Sequence, residues 1–408
     1  MGRDVVVTGL GLVTPLGESV ERTWTGLLEG ASGAGRITHF DPEEAGLRAS
    51  TACEVETKPA AIAPDDRVDD RTMGRYAQFA VAATAEALDD TGFDAASPDW
   101  NAERVGTSIG SGLAGLAEIE AAAGARPSPS FLVSALTNLA AGHVSMTIGA
   151  KGPNRAPGTA CSAGTHAIAA AADDIRRGRA DIVVAGGTDA AISPLGVGSF
   201  DAMRALSTAD DPATASRPFD SDRDGLVLSE GCGIVVLEAR DHARKRGATP
   251  YAAITGAGRT ADAHHPTRPA EAGDGLRRCL EQALLDANRK PATVDHVNAH
   301  ATSTPVGDAR EADALATVFG EVESGVPPTT SIKGHLGHAL GAAGAIEAVV
   351  VARTIAEGTI PPTANYETPD PDCDLPVVTE PRETAVDVAV STSAGFGGTN
   401  GVLVFERP

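Results

Sequence analysis

The chain is short of bulk, of lysine and of paired cysteines. Aromatic residues make up 3% of a sequence that is 42% hydrophobic, so small and aliphatic side chains must fill the interior, with backbones packed close together. Its five cysteines (Cys53, Cys161, Cys232, Cys279, Cys373) share no paired spacing and form no C-x-x-C. That excludes a disulfide framework and a zinc ribbon and fits a reducing cytoplasm. No run approaches the ~18 apolar residues of a membrane span, and a strand pattern begins by Val5 with no basic and then apolar leader before it, so a soluble protein is expected. Only five of the 33 basic residues are lysine, against 55 acidic residues, and the net charge is -22. So acidic a chain repels nucleic acid and anionic membranes, and neither is expected as a partner. It suits a high-salt cytoplasm, although a GC-rich genome also exchanges lysine for arginine.

At 408 residues the chain exceeds one ordinary core, and two halves are expected, 1–245 and 246–408. Asp4 to Thr14 is a β-branched run broken by Gly9 and Gly11, and a helix follows through Val20 to Leu28. Tyr251 to Arg259 repeats the grammar: Ile254-Thr255-Gly256-Ala257-Gly258 echoes Val7-Thr8-Gly9-Leu10-Gly11, which reads as an internal duplication. A dinucleotide fingerprint fails there, because G-x-G-x-x-G needs glycine where Thr14 stands. Thr72 to Thr91 is helical, Val105 to Gly112 and Ile182 to Gly187 are buried strands, and Leu340 to Ile355 is a long buried helix. Ala121 to Pro129 lacks periodicity and reads as an excursion that meets a second subunit.

What is present in quantity is small residues around a few reactive ones. Gly158-Thr159-Ala160-Cys161-Ser162-Ala163-Gly164 lies at a strand-to-helix junction, ahead of an alanine-rich helix that closes with Arg176, Arg177 and Gly178. A thiol at such a helix start faces the positive end of the dipole, which favours thiolate and makes Cys161 a candidate nucleophile. The alternative is a small buried cysteine with no chemistry. Asn298 to Thr304 delivers His300 from a strand into a threonine-rich loop. Lys333-Gly334-His335-Leu336-Gly337-His338 follows another strand, and a glycine loop surrounds Phe396. His300, His335 and His338 together would also suit a three-histidine zinc site. His166, five residues beyond Cys161, points away from the thiol on a helix and reads as structural.

These motifs, in this order over almost the whole chain, resemble the β-ketoacyl-acyl-carrier-protein synthases, above all the elongating type II fatty-acid synthase enzymes of the thiolase-like superfamily. The stretches that carry the likeness include Phe200 to Ser207 (FDAMRALS), Arg217 to Gly231 (RPFDSDRDGLVLSEG) and Gly395 to Gly401 (GFGGTNG). The resemblance implies an α/β, duplicated, five-layered αβαβα fold, normally dimeric. It places the nucleophile on Cys161, the catalytic histidines on His300 and His338, the lysine on Lys333 with Glu347 as its partner, and the gating phenylalanine on Phe396. It implies pantetheine contacts at Thr302 and Thr304, substrate contact at Gly397, an acyl-pocket residue at Leu113 and support of the site from Asp308.

The implied partners are acyl and malonyl thioesters on an acyl carrier protein or coenzyme A, with no metal or organic cofactor. Docking an acidic carrier on an acidic enzyme requires a local basic patch, for which Arg71, Arg75 and Arg204 are the candidates. The sequence departs from the family pattern at Ala301, Gly334, His335 and Ala394. The last stands where an aromatic is usual, which would widen the pocket. A polyketide-type synthase and a non-catalytic chain-length-factor-like subunit are the alternatives within the fold, and retention of Cys161, His300 and His338 speaks against the second.

Overall fold

The computed structural model describes residues 3–62, 67–69, 71–93, 100–123, 126, 128–320 and 322–408. A ten-stranded sheet organises it. In chain order its strands are β1 (Val5–Val13), β2 (Val105–Gly110), β3 (Asn154–Arg155), β4 (Ile182–Asp189), β5 (Gly231–Ala239), β6 (Ala252–Ala261), β7 (His296–Asn298), β8 (Thr329–Thr330), β9 (Val388–Gly395) and β10 (Thr399–Glu406). Across the sheet the order is β8-β7-β9-β10-β6-β1-β5-β4-β2-β3. From β1 outward the pairings are antiparallel to β5, antiparallel to β4, then parallel to β2 and β3. From β6 outward they repeat: antiparallel to β10 and β9, then parallel to β7 and β8. The two runs meet where β1 pairs with β6 at Val6 and Val7.

The helices that position the site are α1 (Arg75–Thr91), α2 (Ala163–Arg176), α3 (Asp274–Asp286), α4 (Pro305–Phe319), α5 (Lys333–Leu336) and α6 (Ala343–Glu357). Strand alternation sorts the side chains into layers. Ile182 and Val184 pack with Phe79 and Ala83 of α1, whereas Val183 and Ala185 join Ile168 of α2 and Val349 of α6. In the second half Val402 and Val404 pack with Leu280 of α3 and Leu315 of α4, and Leu403 and Phe405 turn to the α2–α6 layer. The result is an αβαβα stack with α2 and α6 at its centre.

The echoed glycines have a physical cause. A Cβ on Gly9 or Gly11 would lie 2.3 Å from the Ala87 carbonyl oxygen or 1.9 Å from that of Ala83. On Gly256 or Gly258 it would lie 2.3 Å from the Ala283 oxygen or 2.1 Å from that of Cys279. Helix side chains then take the strand N–H groups that the diverging strands leave unpaired: Leu10 and Leu12 donate to Asp90 (3.0 Å) and Glu86 (2.8 Å). In the same way Ala257 and Arg259 donate to Asp286 (2.9 Å) and Gln282 (2.9 Å).

The central helices share a second feature that hydropathy does not carry. Ala160 (φ 49°) and Leu340 (φ 50°) occupy the left-handed region. Each opens a single 3-10 turn, Ala160–Ser162 or Leu340–Ala342, that runs straight into α2 or α6. The expected continuous helix from Leu340 is therefore broken at its first turn. Small residues are required here because the helix starts cross: a Cβ on Gly164 would lie 2.9 Å from that of Ala345, and one on Gly344 2.0 Å from Thr165 Oγ1. Of the Ala121–Pro129 excursion, residues up to Ala122 belong to a helix that begins at Leu116, and Gly124, Ala125 and Pro127 lie outside the described residues.

Candidate active site

Cys161 follows the strained Ala160 and lines a cavity of about 490 Å³. Hydroxyls pin this elbow to the start of β10: Ser162 Oγ and Thr399 Oγ1 lie 2.9 Å apart, 2.8 and 3.0 Å from the Thr159 carbonyl oxygen. Burial first, and the charge of Asp189 second, push the Cys161 thiol up to about 12. Lys333 and the backbone N–H groups of Phe396 and Cys161 act the other way and are outweighed. The sulfur sits on the 3-10 turn ahead of α2, among Ile192, Phe200 and Leu340 and near the buried Asp189.

His300 lies just beyond β7, and its position is set through its backbone. The N–H groups of His300 and Ala301 donate to Glu311 at 2.9 and 2.7 Å, and Thr392 Oγ1 lies 2.9 Å from the His300 nitrogen. His338 leaves α5 through Gly337 (φ 66°); its N–H donates to Val227 O (2.7 Å) and its carbonyl accepts from Ser229 (3.0 Å). The two rings line the same cavity as Cys161, with centroids 5.2 Å apart and planes at 86°. Both Nδ1 atoms are buried without a hydrogen-bond partner. Burial, then the positive charge of Lys333, holds both rings well below the ordinary histidine value, so each is a neutral imidazole with one N–H to donate. Lys333, 2% exposed, pairs with Glu347, whose carboxyl is raised chiefly by burial.

The remaining expected residues divide. Thr302 and Thr304 line the cavity with their hydroxyls 3.1 Å apart. Asp308 lies behind them, accepting from Thr304 (3.3 Å) and Phe219 (2.9 Å), and its burial raises it to about 7. Phe396 lines the cavity against Phe200, centroids 6.0 Å apart. Ala394 and Ala301 also line it. Gly397 (φ 85°) does not; it serves the turn, donating to Pro266 O at 2.7 Å.

Leu113 is not a cavity residue within this chain. Its side chain is turned outward among the exposed apolar residues, while its N–H donates to Asp189. The Arg75 guanidinium is engaged by Glu230 (2.9 and 2.7 Å) and Val55 O and lies over the Phe79 ring. Arg71 pairs with Asp69 at 3.0 Å. Arg204 is exposed at the cavity rim, and so is Arg268, which sequence reasoning missed. His335 does not join the other two histidines: its ring nitrogens lie 2.8 and 3.0 Å from the carbonyl oxygens of Ala31 and Pro362. His166 Nε2 lies 3.0 Å from Asn400 O, as a structural residue would.

Two buried carboxylates were also missed. Glu311 braces His300, and Asp189 ends β4 behind the elbow. An acidic residue closing the apolar run IVVAGGTDAAI was the signal for Asp189; Glu311 gave none beyond its place in the helix after the His300 loop.

Comparison with known proteins agrees with this arrangement. Residues 2–243 match the family described as beta-ketoacyl synthase, N-terminal domain, and residues 251–367 match its C-terminal domain. A 3-oxoacyl-[acyl-carrier-protein] synthase 2 of Coxiella burnetii is 44% identical over 416 residues, covering 99% of each chain. The protein of that name from Vibrio harveyi is 42% identical over 421 residues, again covering 99% of each chain. Among solved structures, the ishigamide ketosynthase/chain length factor superposes with a TM-score of 0.92 at 34% identity, covering 100% of both chains. A type II polyketide acyl-carrier protein complex with its ketosynthase gives 0.91 at 34% identity, with the same coverage. Matched in both family domains and along its full length, the chain belongs to the beta-ketoacyl synthase family, with the thiolase-like fold of that group.

Proposed function

We propose that the protein extends acyl chains by decarboxylative condensation of a Cys161-bound acyl group with a malonyl thioester. The observation that carries this reading is the meeting of Cys161, His300 and His338 on one cavity, with both imidazoles neutral. Cys161 Sγ attacks the carbonyl carbon of an acyl thioester; a new C–S bond forms, the carrier's C–S bond breaks, and the thiol proton leaves with the carrier sulfur. The backbone N–H groups of Cys161 and Phe396 flank the sulfur and would hold the oxyanion.

In the second half-reaction the malonyl C–C bond to the carboxylate breaks, carbon dioxide departs, and the electron pair passes into an enolate. N–H groups from His300 and His338 stabilise its oxygen. Its α-carbon then attacks the acyl carbonyl, the bond to Cys161 breaks with its electron pair passing to the sulfur, which takes a proton from water to restore the thiol, and a β-ketoacyl thioester two carbons longer is released. Burial, and after it the charge of Lys333 paired with Glu347, keeps both rings unprotonated.

Thr302 and Thr304 are the pantetheine contacts in this reading. The acyl carrier protein is the partner, and exposed Arg204 and Arg268 at the rim supply positive charge in a chain whose net charge is -22. A homodimer is supported by exposed Leu113, Ile119, Leu132, Val133, Leu136 and Leu195 on neighbouring segments. The halves divide at 245/246, between β5 and β6, and unpaired cysteines accord with a cytoplasmic setting. The test is mass analysis of carrier-bound products after incubation with an acyl primer and malonyl carrier protein. A β-ketoacyl product two carbons longer supports the reading, and malonyl consumption with no extended product defeats it.

A further inference from the structure

The two threonines of the cavity are held by a residue that does not line it. Ser303, between them, has φ 69°, a left-handed conformation that a non-glycine residue keeps only where its surroundings impose it. It is 0% exposed, and its Oγ accepts from the N–H of Arg217 (2.9 Å). Across this bend the hydroxyls of Thr302 and Thr304 lie 3.1 Å apart. Thr304 also stands at the N-cap of α4, yet its hydroxyl caps none of the helix N–H groups and meets Thr302 instead. A Cβ on Gly307 would lie 2.4 Å from that hydroxyl, so glycine leaves it room.

Arg223 grips this turn from behind, with its side chain 4% exposed. Its Nη2 donates to Pro305 O (3.0 Å), and its Nε lies 3.4 Å from Thr304 O and 3.8 Å from Asp308 Oδ2. Its Nη1 donates to Asp220 O (2.7 Å) and Asp370 Oδ2 (2.5 Å). One guanidinium thus ties the loop 217–223 and the run 365–370 to the start of α4. Asp220 joins the same segments, accepting from the N–H groups of Glu367 and Thr368 at 2.7 Å each. A planar fork with donors in fixed directions serves these carbonyls and a carboxylate together, which an ammonium on a flexible stem does not. Two of its contacts are directed at the carbonyls of the threonine turn itself.

We propose that Arg223 is a positioning residue for the carrier's pantetheine arm, setting the Thr302–Pro305 turn so that both threonine hydroxyls meet the incoming thioester; this rests on Thr302 and Thr304 being the pantetheine contacts. Arg223 lies outside the cavity that holds Cys161, so its loss weakens binding of the arm and spares the chemistry of the sulfur.

The experiment measures acylation of Cys161 in the full chain by two donors of one acyl group, a pantetheine thioester and a p-nitrophenyl ester, which lacks the arm. In Arg223→Lys the apparent KM for the pantetheine thioester rises about tenfold, while its limiting rate and the p-nitrophenyl rate stay within about twofold of wild type. In a Thr302→Val/Thr304→Val background the same substitution adds less than about twofold, because the groups it positions are already gone. Equal losses on both esters, wild-type constants on both, or the full effect in the double-valine background overturn the proposal. Asp370→Asn, which removes only the outer anchor of the guanidinium, gives a selective rise in KM of about threefold and decides by the same criteria if Arg223→Lys does not fold. A wild-type KM in the double-valine protein defeats the threonine reading itself, which a failure confined to Arg223→Lys leaves standing.

Discussion

The Ala160 and Leu340 elbows are built alike and used differently. Each has a non-glycine residue near φ 50°, one 3-10 turn and a central helix behind it. At the next position the first places Cys161, lining the cavity, and the second places Gly341, pressed against Gly112 and Asp189. The helices they feed, α2 and α6, cross through Gly164 and Gly344, so the elbows are fixed relative to each other. A repeated framework supplies rigidity twice, and the residue at one position decides whether the elbow carries chemistry or packing. The second half has its reactive groups on other loops, at His300 and His338, which is why the site needs both halves.

Exchange at the two elbows tests that contrast most severely. Cys161→Ala should remove condensation altogether, a loss of about a thousandfold or more in product formation. His338→Ala should slow condensation about a hundredfold by removing one enolate donor, while acyl transfer to Cys161 changes only a few-fold; stopped single-turnover assays separate the steps. Loss of acylation to the same extent would mean that the histidine serves the first half-reaction. Gly341→Ala should destabilise the fold by roughly 2 kcal/mol or more, since its Cβ meets backbone at 2.3 Å, whereas Cys161→Gly should cost less than about 1 kcal/mol. Equal costs in chemical denaturation would break the comparison.

The smallest effect is in pH. The folded state holds His300 and His338 well below 6.5, so the unfolded chain binds more protons beneath that value. Their contribution to stability is complete above about 6.5 and is lost as pH falls below it. Unfolding free energies of wild type and a His300→Asn/His338→Asn variant, measured between about pH 8 and 5, should show the flatter slope in the variant.

Strand ends and their reactive residues were legible because hydropathy marks buried strands, and His300, Lys333 and His338 follow such runs, whereas the strand before Cys161 is the short, exposed Asn154–Arg155 and the thiol was legible from the small residues around it. The echo of Gly9 and Gly11 in Gly256 and Gly258 was legible because close approach to a helix forces glycine at both places. Contacts across long stretches of chain were not. Arg75 meets Glu230 155 residues away, and Gly341 meets Asp189 152 residues away, so neither the ion pair that engages this arginine nor the carboxyl group behind the thiol could be read locally. The break at Leu340 is a backbone angle, which composition does not encode. Leu113 turned outward because its turn is held by its backbone, through Asp189, and not by its side chain.

The central claim is that one sulfur holds the growing chain beside two neutral imidazoles. Incubation of the wild-type protein with an acyl thioester, followed by peptide mass spectrometry, tests it directly. The acyl mass should appear on the peptide containing Cys161 and vanish when malonyl thioester is added. An unmodified Cys161 with the acyl group on another residue would contradict it.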